Sequence, residues 1–153
     1  MGLDSFLHKR TYVRNYGHRP KEHVNTVIVK LGGKKRRDIK PERVSYITET
    51  VMEWYNNHSL HQWFNENVEV NEGCDSYVSF DVLQELLNAL VRTKLSLKRK
   101  RQLLDDDIIM NYDGLSDDEF LAMIEQQISN FRKLFRELKN AQSQVDFYYS
   151  ASW

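Results

Sequence analysis

The end of the chain alternates strictly between two sets of side chains, and this pattern constrains the fold most. Alternation with a period of two is typical of a β-strand with one buried face. One set consists of Val145, Phe147, Tyr149, Ala151 and Trp153, and the other of Asp146, Tyr148, Ser150 and Ser152. We therefore expect the C-terminal residues to form a strand that joins a sheet and holds the terminus in place.

Two long helices are predicted by the residues that begin them. Ser116–Glu119 has the sequence of a capping box, and the helix that follows should end near Asn140. Its apolar stripe favours packing on a sheet, although a dimer seam would use a similar pattern; the stripe is Phe120, Ile124, Ile128, Phe131, Phe135 and Leu138. Ser79 is expected to cap another helix, which reaches about Leu97 and buries Leu83, Leu87 and Leu90.

Further strands are predicted in the N-terminal third of the chain. Leu3–Val13 is interpreted as a first strand, interrupted around His8–Arg10. Val24–Leu31 contains a β-branched run that favours a second strand. Gly32–Gly33 can supply the positive φ angles of a tight hairpin, with a return strand over Lys34–Ile39.

The stretch Trp54–Phe64 concentrates aromatic and histidine side chains. The preceding segment, Arg43–Tyr55, fits a strand period and a helix period, and its Val, Tyr, Ile and Thr content favours a strand. We expect Trp54–Phe64 to contain the end of this strand and the short helix that follows it. The apolar face of the helix, which should fill part of the core, is Leu60, Trp63 and Phe64, beside a stripe of His58 and His61.

These elements predict an α+β fold: an antiparallel sheet of about four to five strands packed with three helices, with a C-terminal strand. The 153 residues form one domain (1–153), and 41% hydrophobic and 29% charged residues describe a globular protein. The single cysteine, Cys74, fits a reducing compartment. The sequence lacks an apolar run of roughly 18 residues and an N-terminal apolar signal segment, so we expect no membrane association.

Charge is distributed in blocks although the net charge is zero. Lysine and arginine dominate before Val44, are absent from Val44 to Val91, and return in Arg92–Arg101, while Asp105–Gly114 is an acidic connector. Such blocks either steer a charged partner or complement one another within the fold or across a self-association interface.

Few residues suggest catalysis. His58 and His61 are close enough on a helix to share a metal ion, but no third ligand has a spacing signature; the candidates are His8, His18, His23, Glu66 and Cys74. Histidines hydrogen-bonded at the edge of an aromatic core explain the pair more simply. A nucleophilic Cys74 assisted by His61 has no support from spacing, and a lone cysteine is usually a small buried residue. We therefore predict no catalytic residue, metal or cofactor.

A binding site has more support. The Gly32–Gly33 hairpin carries cations that could pair with phosphate, although charge that keeps a hairpin tip soluble is the simpler explanation. Aromatic rings near cations can hold a nucleobase. The candidate ligand-binding residues are Tyr12, Lys34, Lys35, Arg36, Trp54, His58, His61 and Tyr148. Zero net charge and the absence of a recognised motif argue against long nucleic acid and favour a nucleotide-sized ligand or a protein partner.

Several segments, in order along nearly the whole chain, resemble an uncharacterised family of small tailed-phage and prophage proteins. The matching segments are 1–4, 9–13, 43–47, 60–64, Cys74 with 77–79, and 147–153. The resemblance implies a phage origin and expression in the host (bacterial) cytoplasm. The chain departs from the family at 54–56, where relatives carry Trp-Arg-Lys, and at His58, where they carry asparagine. It also departs at 105–114, where relatives have a Gly- and Phe-rich segment.

The pattern and the resemblance together lead to three hypotheses. The first is a non-enzymatic binder of a nucleotide-type host immune signal, acting in counter-defence. The second is a protein–protein interaction module whose acidic Val44–Val91 surface meets a basic host protein. The third is a metal-dependent hydrolase that uses His58 and His61.

Overall fold

The two central strands of the sheet come from opposite ends of the chain. In the computed structural model, which describes residues 2–103, 109–140 and 144–152, β1 (Asp4–Tyr12) pairs antiparallel with β6 (Val145–Ser152). On the other side of β1 lies β4 (Tyr46–Tyr55), and on the other side of β6 lies β5 (Ser76–Val78). The resulting order is β4-β1-β6-β5, with all neighbours antiparallel.

Three helices complete the α+β fold. The helices are α1 (His58–Asn67), α2 (Phe80–Lys98) and α3 (Asp117–Glu137). Asn57 caps α1, Ser79 caps α2, and Ser116 caps α3 in a full capping box with Glu119. Helices α2 and α3 run antiparallel, since Phe80 contacts Phe135 near one end and Lys94 pairs with Glu125 near the other. The predicted fold class, both long helices and the C-terminal strand are confirmed.

The core lies between the helices and one face of the sheet. Alternate strand residues contribute to it, namely Ser5, Leu7, Met52, Trp54, Ser76, Val78, Phe147 and Tyr149. Phe64 of α1 is fully buried and stacks on Tyr149 with 4.0 Å between ring centres. Phe64 therefore fills the core as predicted, whereas Trp63 is only half-buried at its edge.

The hairpin is shorter than predicted. It forms a separate two-stranded sheet of β2 (Lys30–Leu31) and β3 (Lys34–Lys35), so the strands expected over Val24–Leu31 and Lys34–Ile39 are wrong in length. Gly32 and Gly33 do adopt positive φ angles of 55° and 78°. The apolar residues of this segment are largely exposed, and β-branched residues favour a strand only where they pack against neighbours.

Two further local predictions are corrected, and one short strand was not predicted. β1 is continuous through His8–Arg10, and the irregularity lies in its partner strand, β4. Met52 lies opposite Leu7 and Thr50 lies opposite His8, so Val51 is an extra residue between them. The short strand β5 was not predicted, because three residues carry too little periodicity. Cys74 is exposed rather than buried. Trp153, and part of the acidic Asp105–Gly114 connector, lie outside the described residues.

Candidate functional site

The sheet has a second face that points away from the helices, called the open face below. Pairing register and alternation assign its side chains: Asp4, Phe6, His8, Arg10 and Tyr12 from β1, Tyr46, Thr48, Thr50, Glu53 and Tyr55 from β4, Tyr77 from β5, and Asp146, Tyr148, Ser150 and Ser152 from β6. All of these residues are exposed or half-buried. Tyr46, Tyr55 and Tyr77 are 50%, 62% and 57% exposed, so the face presents large rings to solvent.

Arg10 lies at the centre of this face between two tyrosine rings. Its guanidinium carbon is 4.8 Å from the ring centre of Tyr46 and 4.0 Å from that of Tyr148. Its Nη2 donates to Asp75 Oδ2 at 3.0 Å, while its buried Nε has no hydrogen-bond partner among the described residues. The ring of Tyr77 meets that of Tyr148 edge-on with centres 6.0 Å apart. This ring–cation–ring stack fixes the aromatic surface across four strands.

His8 is fixed beside the stack. Its Nδ1 lies 3.1 Å from Thr50 Oγ1 and its Nε2 lies 3.0 Å from Ser150 Oγ. The imidazole also stacks on Phe6, with ring centres 6.0 Å apart. Because both ring nitrogens are engaged, His8 contributes a positioned flat ring to the open face.

The strand residues of the open face carry more carboxylates than cations, whereas Arg14 and Arg19 lie over the ring of Tyr16, next to Tyr12. Asp4, Glu53 and Asp146 occupy open-face positions, whereas the charge of Arg10 is offset by Asp75. The Tyr55 hydroxyl donates to Glu53 at 2.7 Å, and this hydrogen bond raises the pKa of Tyr55. Both outer strands, β4 and β5, come from the segment without lysine or arginine.

The predicted binding residues divide between the two faces of the sheet. Tyr12 and Tyr148 lie on the open face. Trp54 lies in the core, only 5% exposed, and its Nε1 donates to Gln127 Oε1 of α3 at 3.1 Å. His61 of α1 is on the same side as Trp54 and contacts Tyr149. The structure therefore does not bring the rings of Trp54 and Tyr148 together on one surface.

The predicted cations lie on the separate hairpin. Lys34 and Lys35 are exposed, and Arg36 is half-buried. The guanidinium of Arg36 pairs with both carboxylate oxygens of Asp38, which lowers the pKa of that carboxyl. The hairpin has no strand pairing to the four-stranded sheet that carries Tyr12 and Tyr148.

His61 belongs to a partly buried polar contact. Its Nδ1 lies 2.9 Å from the hydroxyl oxygen of Tyr149, a residue with no exposed surface. Burial, reinforced by the charge of His58, lowers the pKa of His61, with Glu72 acting in the opposite direction. Burial also raises the pKa of Tyr149, with Ser5 opposing it, so both groups are favoured in their neutral forms.

His58 is exposed on α1. Within residues 2–103, 109–140 and 144–152, no three His, Cys, Asp or Glu side chains are grouped so that they could hold a metal ion. The hydrolase hypothesis therefore receives no geometric support from these residues.

Sequence reasoning missed the residues that define the open face, above all Arg10, Tyr46 and Tyr77. The available signal was the alternation of Phe6, His8, Arg10 and Tyr12 in the first strand. The predicted interruption around His8–Arg10 obscured that alternation, and only the strand order brings Tyr46 and Tyr77 alongside it.

Comparison with protein-family models, curated proteins and solved structures gave no match for this chain. Among the helices in the described ranges, none combines the length and apolar character needed to cross a bilayer.

Proposed function

We propose that the protein acts by binding rather than by catalysis, and that its open face is the surface that holds a basic segment of a host protein. One observation carries the proposal: Arg10 lies between two tyrosine rings on a face that presents further exposed tyrosines and that no described helix covers. Aromatic residues and arginine are enriched at the energetically important positions of protein interfaces. The breadth of the face, which spans four strands, suits a macromolecular partner.

Charge supports a basic partner. Asp4, Glu53 and Asp146 give the strand residues of the open face a negative balance, and Arg10 is already paired with Asp75. Lysine or arginine side chains of a partner could pair with these carboxylates and lie over the rings of Tyr46, Tyr55 or Tyr77.

The resemblance to tailed-phage and prophage proteins supports binding to a host protein inside an infected bacterium. In that setting the protein would be made in the host cytoplasm and would inhibit or redirect the host protein that it binds. Counter-defence is one outcome of such binding.

The test is capture from nuclease-treated bacterial host extract by the purified protein and three variants. Tyr55→Ala and Tyr77→Ala remove exposed rings from opposite edges of the open face. Leu95→Ala is the matched control, because Leu95 is an exposed apolar residue (45%) on α2, on the helical side. We expect a stoichiometric basic protein that the wild type and Leu95→Ala retain, that both tyrosine variants lose, and that raised salt releases. Capture that is equal for all four proteins would contradict the proposal.

Capture of a nucleotide-type signal is the second candidate. It is favoured by Tyr12 and Tyr148, which share the open face and could stack on bases. Thermal-shift measurements with cyclic dinucleotides and ADP-ribose derivatives test it, using Tyr148→Ala as the site variant. A shift in wild type that Tyr148→Ala abolishes supports this candidate, and no shift with any compound argues against it.

A further inference from the structure

A groove on the helical side of the molecule differs in charge from the open face. It is open to solvent, runs along α3 beside α2 and has a volume of about 460 Å³, within the roughly 300–1,000 Å³ of small-molecule sites. Its lining residues are Lys94, Glu125, Ile128, Ser129, Arg132, Phe135 and Arg136. We call it the α2–α3 groove.

Positive charge in and beside this groove exceeds negative charge. Lys94 Nζ and Lys98 Nζ lie 3.1 Å and 3.2 Å from the same oxygen, Oε1 of Glu125, so one carboxylate serves two ammonium groups. Arg132 and Arg136 are exposed and stand four residues apart on α3, where like charges repel. Neither arginine forms an ion pair with any described residue. Among the described residues, two guanidinium groups therefore lack a carboxylate partner and can bind an anion.

An aromatic ring lies beside these cations. Phe135 is half-buried, and its ring packs on Phe80 with centres 4.9 Å apart and on Phe131 with centres 6.1 Å apart. The ring is thus held in place where it lines the groove. Ser129 adds a hydroxyl group that can donate a hydrogen bond. Proteins bind nucleotides with groups of these kinds: cations and hydroxyls contact the phosphate, and an aromatic ring stacks on the base.

We infer that the α2–α3 groove binds phosphate groups, carried either by a free nucleotide or by the backbone of single-stranded nucleic acid. Arg132 and Arg136 would pair with the phosphate oxygens, and Lys94 would add a third cation. This site is separate from the open face and does not depend on the function proposed for that face.

The test is isothermal titration calorimetry at low salt with inorganic tripolyphosphate, ADP and a short single-stranded oligonucleotide. We expect wild-type protein to bind tripolyphosphate, and Arg132→Gln and Arg136→Gln each to weaken binding by roughly tenfold through loss of a charge-assisted contact. Lys133→Gln is the matched control, because Lys133 is an exposed cation of α3 that does not line the groove. Tighter binding of ADP than of tripolyphosphate identifies a nucleotide site, and tighter binding of the oligonucleotide identifies a backbone site. The inference would be overturned if the wild-type protein bound none of the three ligands. It would also be overturned if Lys133→Gln weakened binding as much as Arg132→Gln and Arg136→Gln do.

One further variant, Glu125→Gln, should gain affinity for tripolyphosphate. Glu125→Gln removes the carboxylate that engages Lys94 and Lys98, so both lysines become available and tripolyphosphate should bind several-fold more tightly. Unchanged or weaker binding by this variant would contradict the site. Because the result expected is an increase, partial unfolding cannot imitate it.

Discussion

The guanidinium carbon of Arg10 lies 4.0 Å from the ring centre of Tyr148, its diagonal neighbour across β1 and β6. The same guanidinium contacts Tyr46 on β4 and pairs with Asp75, which immediately precedes β5. One side chain of a central strand thus links both outer parts of the sheet. The arrangement depends on a flat cation that can lie on two rings and still donate a hydrogen bond.

Arg10→Ala should lower the free energy of unfolding by about 1–2 kcal/mol, because it removes two cation–π contacts and the packing of the arginine stem. Arg10→Lys should recover only part of the loss, since an ammonium group cannot stack on both rings. Urea unfolding at neutral pH measures both. The control is Arg14→Ala, in which an exposed arginine 5.7 Å from the Tyr16 ring is removed. A loss in Arg14→Ala as large as that in Arg10→Ala would argue against the role of the stack.

Phe64→Ala should be among the most destabilising single changes in the core. Phe64 has no exposed surface and stacks on Tyr149 at 4.0 Å, so the substitution leaves a cavity between α1 and the sheet. The expected loss is about 3–5 kcal/mol by chemical denaturation. Tyr55→Ala, which trims a ring that is 62% exposed, should change stability by no more than about 0.5 kcal/mol. Similar losses in the two variants would place Phe64 outside the core.

Stability should fall as the pH is lowered from 7 to 5, in part because of His61. Burial lowers the pKa of His61 in the folded protein, so the unfolded chain takes up a proton first. The contribution is fully present above the unfolded pKa of about 6.5 and is lost as the pH falls toward the lower folded value. Melting temperatures across this range should depend less on pH in His61→Gln. His23→Gln, which replaces an exposed histidine, should keep the wild-type change of melting temperature with pH. A steeper change in His61→Gln than in wild type would contradict the role given to His61.

Ser116→Ala should destabilise the protein by about 1 kcal/mol, because it removes the side chain that caps α3. Ser116 Oγ accepts from the backbone N–H of Glu119 at 3.3 Å, and the Glu119 carboxylate accepts from the backbone N–H of Ser116 at 2.8 Å. Ser129→Ala, at an exposed mid-helix position, should have little effect or a slightly stabilising one. Thermal unfolding of the two variants distinguishes capping from a general loss of hydroxyl groups.

Sequence patterns predicted long elements well and short ones poorly. The stripe from Phe120 to Leu138 and the alternation that begins at Val145 repeat often enough to identify a helix and a strand, and both are confirmed. β5 has three residues, too few for a period to be visible. The segment Val24–Leu31 has strand-favouring residues but lies mostly exposed, so propensity alone did not produce the predicted strand.

The candidate site was predicted less well than the fold. Aromatic content drew attention to Trp54 and Tyr148, yet the sequence does not state which face of the sheet each ring occupies. Trp54 lies on the core face and Tyr148 on the open face. The phosphate groove proposed along α3 combines Lys94 of α2 with Arg132 of α3, two residues whose proximity depends on helix packing.

The sequence by itself determined the α+β class, the helix starts at Ser79 and Ser116, and the strand at the end of the chain. These features follow from hydrogen bonds and periodicities that act over a few residues. Only the tertiary structure decided that Arg10, Tyr46, Tyr77 and Tyr148 form one surface. Strand order and register set that grouping, because pairing distant segments places alternate side chains on a common face, and a local pattern does not specify its partner strand.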